Sequence, residues 1–109
     1  MLSQANFVNA RQAYDELKKS NPDFSLKENE LDVWGYALVA RGRIKEAIEV
    51  FKLNVELYPG SSAVYASLGE AYLNNGNKAL AIANLEKSIK LNPQTVWTSA
   101  MLTKLKESK

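Results

Sequence analysis

Carboxylates have the widest chemical reach of any residues in this chain. Two acids suffice to hydrolyse a glycoside, one as general acid and the other as nucleophile or base. Asp15, Glu16, Glu28, Glu30, Asp32, Glu46, Glu49 and Glu56 would have to supply such a pair. They fall mostly on the outward faces of predicted helices, interspersed with lysines and arginines. That is the pattern of solvated surface charge. Ser61, Ser62 and Ser67 have no base to activate them, because the sequence contains no histidine, and no Gly-x-Ser-x-Gly surrounds them. Without histidine there is no Ser-His-Asp triad and no imidazole metal ligand. Without cysteine there is no thiol nucleophile, disulfide or thiolate metal site. Gly42-Arg43 and Gly76-Asn77 read as helix terminators rather than phosphate cradles. The residues therefore predict a chain that is not an enzyme and carries no metal or cofactor.

Size and charge narrow the class further. The 109 residues, 46% of them apolar, amount to one domain that can bury roughly 65% of its unfolded surface. Charged residues make up 24% with both signs mixed, and the net charge is +2, a composition of folded rather than disordered chains. By segment the charge is +1 over 1–27, −2 over 28–61, +1 over 62–95 and +2 over 96–109. No basic block for nucleic acid emerges. The opening Met1-Leu2-Ser3-Gln4-Ala5-Asn6 lacks the basic start and apolar run of a signal peptide. No apolar stretch approaches the ~20 residues that span a bilayer. The expectation is a soluble domain without membrane insertion.

What must position any functional residue is a repeat. Shifted by 34 places, the sequence aligns Gly35 with Gly69, Ala37 with Ala71, Gly42 with Gly76, Ala47 with Ala81, Ile48 with Ile82, Leu57 with Leu91 and Pro59 with Pro93. Hydrophobic class is also kept, for Leu31 with Tyr65, Trp34 with Leu68, Leu38 with Tyr72, Phe51 with Leu85 and Val55 with Ile89. Residues 28–61 and 62–95 are thus two copies of one unit, each reading as two helices. In the second copy Val64, Tyr65, Leu68, Ala71 and Tyr72 recur at helical spacing. Gly76 suits the left-handed residue that closes a helix. A second face then runs through Leu80, Ala81, Leu85, Ile89 and Leu91 until Asn92-Pro93 stops it. Ser25-x-x-Glu28 reads as a capping box that starts the first helix near Leu26. Gly35 and Gly69 lie inside helices, where glycine costs about 1 kcal/mol relative to alanine, so another helix is expected to approach there, with Ala47 and Ala81 as its small partners.

The pattern Tyr65-x-x-Leu68-Gly69-x-x-Tyr72, Ala81-x-x-x-Leu85, Pro93 resembles the tetratricopeptide repeat in period and residue type. The first copy fits with Leu31, Trp34, Gly35, Leu38, Ala47, Phe51 and Pro59. The flanks complete a stack. Phe7, Ala10, Tyr14 and Leu17 form a stripe ended by Asn21-Pro22, resembling the second helix of a repeat, with extra residues around Asp23-Phe24. Trp97, Ala100, Met101 and Leu105 form a last amphipathic helix, with Lys104, Lys106 and Lys109 on or beyond it. Its apolar register matches neither repeat, and it reads as a capping helix over residues 96–109. The expected fold is all-α, a right-handed solenoid of six helices. Within the stripe Trp97 is expected to close the core, and Trp34 to be interior.

The resemblance implies a concave groove lined by the first helix of each repeat. Position by position it selects Asn29, Asp32, Tyr36 and Val39, then Ala63, Ala66, Glu70, Leu73 and Asn74, with Trp97 and Met101 added by the last helix. Asp32, Tyr36 and Ser67 stand where the family's carboxylate clamp places Lys and Asn, so that clamp is absent. Asp32 and Glu70 are expected to be solvated; Tyr36 can equally pack on a neighbouring helix or meet a ligand. Over roughly residues 10–105 the chain is also similar to a C-terminal extension of bacterial serine hydrolases of the β-lactamase-related and esterase classes. The run from Glu46 to Pro59 followed by Val64 to Tyr72 carries that likeness. It departs from the pattern at Ala66 and Asn77, where aspartate is usual. Two functions follow: a non-catalytic module binding a peptide or protein surface, or a structural appendage that packs on or dimerises an attached hydrolase. The first implies a cytoplasmic location if free-standing, the second an exported one. Either way the chain is expected to be a monomer or weak homodimer.

Overall fold

The computed structural model describes residues 10–23 and 25–107. Among them there are six helices and no strand: α1 (Ala10–Ser20), α2 (Glu28–Ala40), α3 (Ile44–Leu57), α4 (Ser62–Asn74), α5 (Lys78–Leu91) and α6 (Val96–Glu107). From α2 onward each helix packs chiefly on its neighbours in the chain, α2 on α3, α3 on α4, α4 on α5 and α5 on α6, while α1 packs on α3 and α2 also touches α4. The result is an elongated tetratricopeptide-like stack of 47 × 27 × 18 Å. Phe7, Phe24 and Lys109 lie outside the described residues.

The joints within the two copies share one backbone geometry. Gly42 and Gly76 adopt φ of +78° and +84°, the left-handed conformation that glycine enters without a Cβ penalty. After α2, the Arg43 N–H bonds the Leu38 carbonyl and the Gly42 N–H the Val39 carbonyl; after α4, Asn77 bonds Tyr72 and Gly76 bonds Leu73. Both are Schellman closures that satisfy the last carbonyls of a helix. The start of α2 differs from the expected capping box. The helix begins at Glu28, and the Lys27 N–H donates to the Glu30 carboxylate at 2.8 Å. Glu28 is diverted to accept from the Ser61 hydroxyl at 2.7 Å, while the Tyr58 hydroxyl holds the Leu26 carbonyl. Ser25 stays exposed.

The core explains the glycines. Leu31, Leu38, Ala47, Ile48, Val50, Phe51, Leu53, Leu68 and Ala71 form one buried cluster, with Tyr14 at its α1 edge and Trp34 packed against it. A Cβ on Gly35 would lie 2.3 Å from the Phe51 ring, and one on Gly69 would lie 2.9 Å from Leu85 Cγ and 3.2 Å from the Ala81 carbonyl oxygen. The aromatic ring and the leucine occupy the space that a side chain would need. Two buried polar residues fasten the other end of each pair. Asn54 Nδ2 donates to the Glu28 carbonyl at 3.1 Å. One period later Ser88 donates to the Ser62 carbonyl at 2.9 Å, and the two hydroxyls lie 2.8 Å apart. The second helix of each copy therefore pins the first turn of its partner.

The last helix departs from its expected packing. Helix α6 begins 34 residues after α4, as α4 begins 34 after α2, so it takes the place of a third first helix. Its buried residue is Thr98, the counterpart of buried Val64, while Trp97 is 53% exposed. Trp97 does not close the core; Thr98 faces α5, and Met101, Leu102 and Leu105 are half-buried beside it. Lys106 pairs with Glu86 of α5 at 2.7 Å. A stripe drawn from Trp97 is rotated by one residue from the true seam.

Two stability changes test this packing. Gly35→Ala gains about 1 kcal/mol of helix propensity but intrudes on the Phe51 ring, and overpacking costs about 1–3 kcal/mol; chemical denaturation is expected to show a net loss, larger than for Gly69→Ala. Trp97→Ala is expected to change stability by about 0.5 kcal/mol or less, the scale of surface substitutions, and a loss of several kcal/mol would return Trp97 to the core.

Candidate interaction face

The first helices of the two copies meet along a polar seam. Asp32 and Tyr36 sit one turn apart on α2; Ser67 and Glu70 sit one turn apart on α4. The Tyr36 hydroxyl lies 2.8 Å from Glu70 Oε1 and 3.3 Å from Ser67 Oγ, and Ser67 donates to Asp32 Oδ1 at 2.7 Å. A hydroxyl has one proton, so with Ser67 committed to Asp32 the Tyr36 proton serves the shorter bond to Glu70. Asp32 and Glu70 are thus not simply solvated: each accepts from a neutral hydroxyl on the opposite helix. Among the described residues neither carboxylate has a cationic partner, whereas Glu46, Glu49 and Glu86 pair with Arg43, Lys52 and Lys106.

Burial shapes the chemistry of this seam. Desolvation raises the Asp32 pKa above the ordinary carboxylate value, the Ser67 hydrogen bond opposes it, and the charge of Glu28 adds to it. For Tyr36, desolvation and the adjoining carboxylates push the phenol up to about 12. The ring itself is fixed edge-on against Phe51, with centroids 5.2 Å apart and planes at 67°, yet 38% of Tyr36 remains exposed. Packing and exposure are therefore both present in one residue.

The remaining residues selected from the sequence distribute unevenly. Asn29, Ala63 and Asn74 are exposed, Val39 and Leu73 are half-buried, and Ala66 is buried. Val39 packs on the core cluster. Ser67, which the sequence offers as a serine without a base and as a replaced clamp position, helps to join the two helices through Asp32. Val33, 69% exposed one turn before Tyr36, was not selected and belongs to the same stripe; its β-branched apolar side chain on an open helix face was the available signal. Away from this face, a shallow depression of about 370 Å³ is lined by Lys45, Ile48, Lys52, Tyr72, Asn75 and Leu80. No group of three or more potential metal ligands occurs among the described residues, and none of their helices is long and apolar enough to cross a membrane.

The raised Tyr36 pKa has a signed consequence. A phenol that holds its proton more tightly when folded contributes stability that is complete below pH 10 and is lost as pH rises toward 12. In a spectrophotometric alkaline titration, Tyr36→Phe is expected to remove the phenolate signal that develops near pH 12 and to leave the signal at lower pH intact.

Residues 62–95 match the tetratricopeptide repeat family. Over 61 residues, 56% of this chain, it is 38% identical to cellulose synthase operon protein C of Escherichia coli (strain K12), and equally to a putative cellulose synthase operon protein C of Escherichia coli O157:H7. The chain spans about 5% of the length of these relatives. Among solved structures it resembles the crystal structure of MamA, with 28% identity and a TM-score of 0.67, covering 92% of this chain and 57% of that one. Tetratricopeptide domains are typically non-catalytic scaffolds, and these likenesses support a protein–protein interaction module. The fold is all-α and tetratricopeptide-like.

Proposed function

We propose that the chain is a non-catalytic module that takes a peptide segment or protein surface on the face formed by α2, α4 and the start of α6. Asn29, Asp32, Tyr36 and Val39 would contribute from α2, Ala63, Ala66, Glu70, Leu73 and Asn74 from α4, and Trp97 from α6. The observation that carries this reading is Tyr36: a large aromatic side chain held at both ends, by Phe51 and by Glu70, and still open to solvent. Rigid aromatics lose little entropy on binding and make good anchors.

A second reading has its own observation. Val96 at 80% and Trp97 at 53% exposure form an apolar end on α6, suited to packing on another folded surface. That arrangement fits a structural appendage, and its assignment to a serine hydrolase rests on the sequence resemblance alone. Both readings dispense with catalysis, since the serines lack a base and the carboxylates serve as acceptors or ion-pair partners.

Site-specific photo-crosslinking in the producing cell separates them. A benzoylphenylalanine at Ala63 is expected to capture a partner, and one at the exposed Leu80 is not. Capture from position 96 alone supports the appendage; capture from Leu80 alone overturns both readings.

A further inference from the structure

The unpartnered face of α2 and α4 has a definite electrical character. Glu28, Asp32 and Glu70 lie along it, and their near neighbours in hydrogen bonding are Ser61, Ser67 and Tyr36, all neutral. Elsewhere Glu46 pairs with Arg43 just before α3, Glu49 with Lys52 within α3, and Glu86 of α5 with Lys106 of α6. The seam therefore keeps its negative charge uncompensated, at the cost of partial desolvation. One period beyond Glu70 the corresponding residue is Lys104, so the negative half of the face is the α2–α4 half. Apolar surface accompanies it: of six exposed large apolar side chains among the described residues, Val33 and Tyr36 lie on this stripe of α2, and Trp97 takes the corresponding place on α6 to Asn29 and Ala63.

We infer that the partner of this face is a polypeptide segment that presents an arginine or lysine to Asp32 and Glu70 while its apolar residues cover Val33 and the Tyr36 ring. The inference rests on the reading of this face as the binding surface and adds the chemistry of what binds. Each carboxylate has spent one oxygen on a hydroxyl and keeps its other oxygen for a charged donor. Charge-assisted bonds of this kind are about twice as strong as neutral ones, and the exposed part of Tyr36 offers apolar surface beside them. A cation here would also relieve the repulsion among Glu28, Asp32 and Glu70. An acidic or purely apolar segment would leave that charge buried without a partner, which is unfavourable.

Panning a random heptapeptide display library against the immobilised full chain tests this directly. Enrichment of peptides containing arginine or lysine with aliphatic or aromatic neighbours is expected. A synthetic copy of an enriched peptide is expected to bind about tenfold or more weakly to Asp32→Asn and to Glu70→Gln, and its affinity to fall with added salt. Both substitutions keep the oxygen that accepts from Ser67 or Tyr36, so circular dichroism should show an unchanged fold. Enriched peptides without a basic residue that are still lost on Tyr36→Ala overturn the charge assignment and leave the face as the binding surface. Basic peptides that bind both isosteric variants unchanged, or no enrichment at all, overturn the inference; binding indifferent to Tyr36→Ala as well removes the face itself.

Discussion

The contact between the Phe51 ring and the backbone of Gly35 governs much of what surrounds it. It brings α2 and α3 closer than any side chain at position 35 would allow and places the ring where the edge of Tyr36 can meet it. Tyr36 then reaches across to Glu70, fixing α4 beside α2. The second copy uses the same device with a smaller residue: Leu85 sits under Gly69. A leucine presents no flat face for an aromatic to stack against, so an equivalent of Tyr36 has nothing to lean on there. The residue at that place is Glu70, which accepts rather than donates. The asymmetry of the seam thus accompanies a difference in the core, phenylalanine in one copy and leucine in the other.

The sequence carried the backbone of this architecture well and its polar details poorly. The 34-residue period, the two left-handed glycines and the prolines after α3 and α5 each act on the chain locally, so spacing alone reveals them. The helix start at Glu28 was less legible because two overlapping Ser/Lys-x-x-Glu windows compete, and the outcome turns on Ser61, 33 residues away, recruiting Glu28. Trp97 misled for a related reason. Hydrophobicity ranked it above Thr98, yet the 34-residue register puts Thr98 on the buried side. The link from Ser67 to Asp32 could not be read from either helix alone, since it depends on the rotation of α4 against α2.

Buried polar groups fasten the stack as much as apolar ones. Asn54 and Ser88, both fully buried, bind the first turns of α2 and α4 at equivalent places. A buried hydrogen bond adds modestly to stability but makes the unpaired alternatives costly. These two bonds therefore select the register in which second helices dock on first helices, while the leucine and phenylalanine contacts supply most of the favourable burial. The candidate face inherits that register, because Asp32, Tyr36, Ser67 and Glu70 lie on the helices so fixed.

Nearest-neighbour packing also sets how disturbance spreads. With α1 held chiefly by α3, and α6 chiefly by α5, the chain behaves as a one-dimensional array in which each boundary has its own free energy. Fraying enters from the ends, and amide exchange should slow progressively toward α3 and α4, where Val50, Phe51, Leu53 and Val64 are almost wholly enclosed. The face across α2 and α4 straddles that slow-exchanging centre, so its hydroxyl–carboxylate bonds persist through the openings that release either terminal helix.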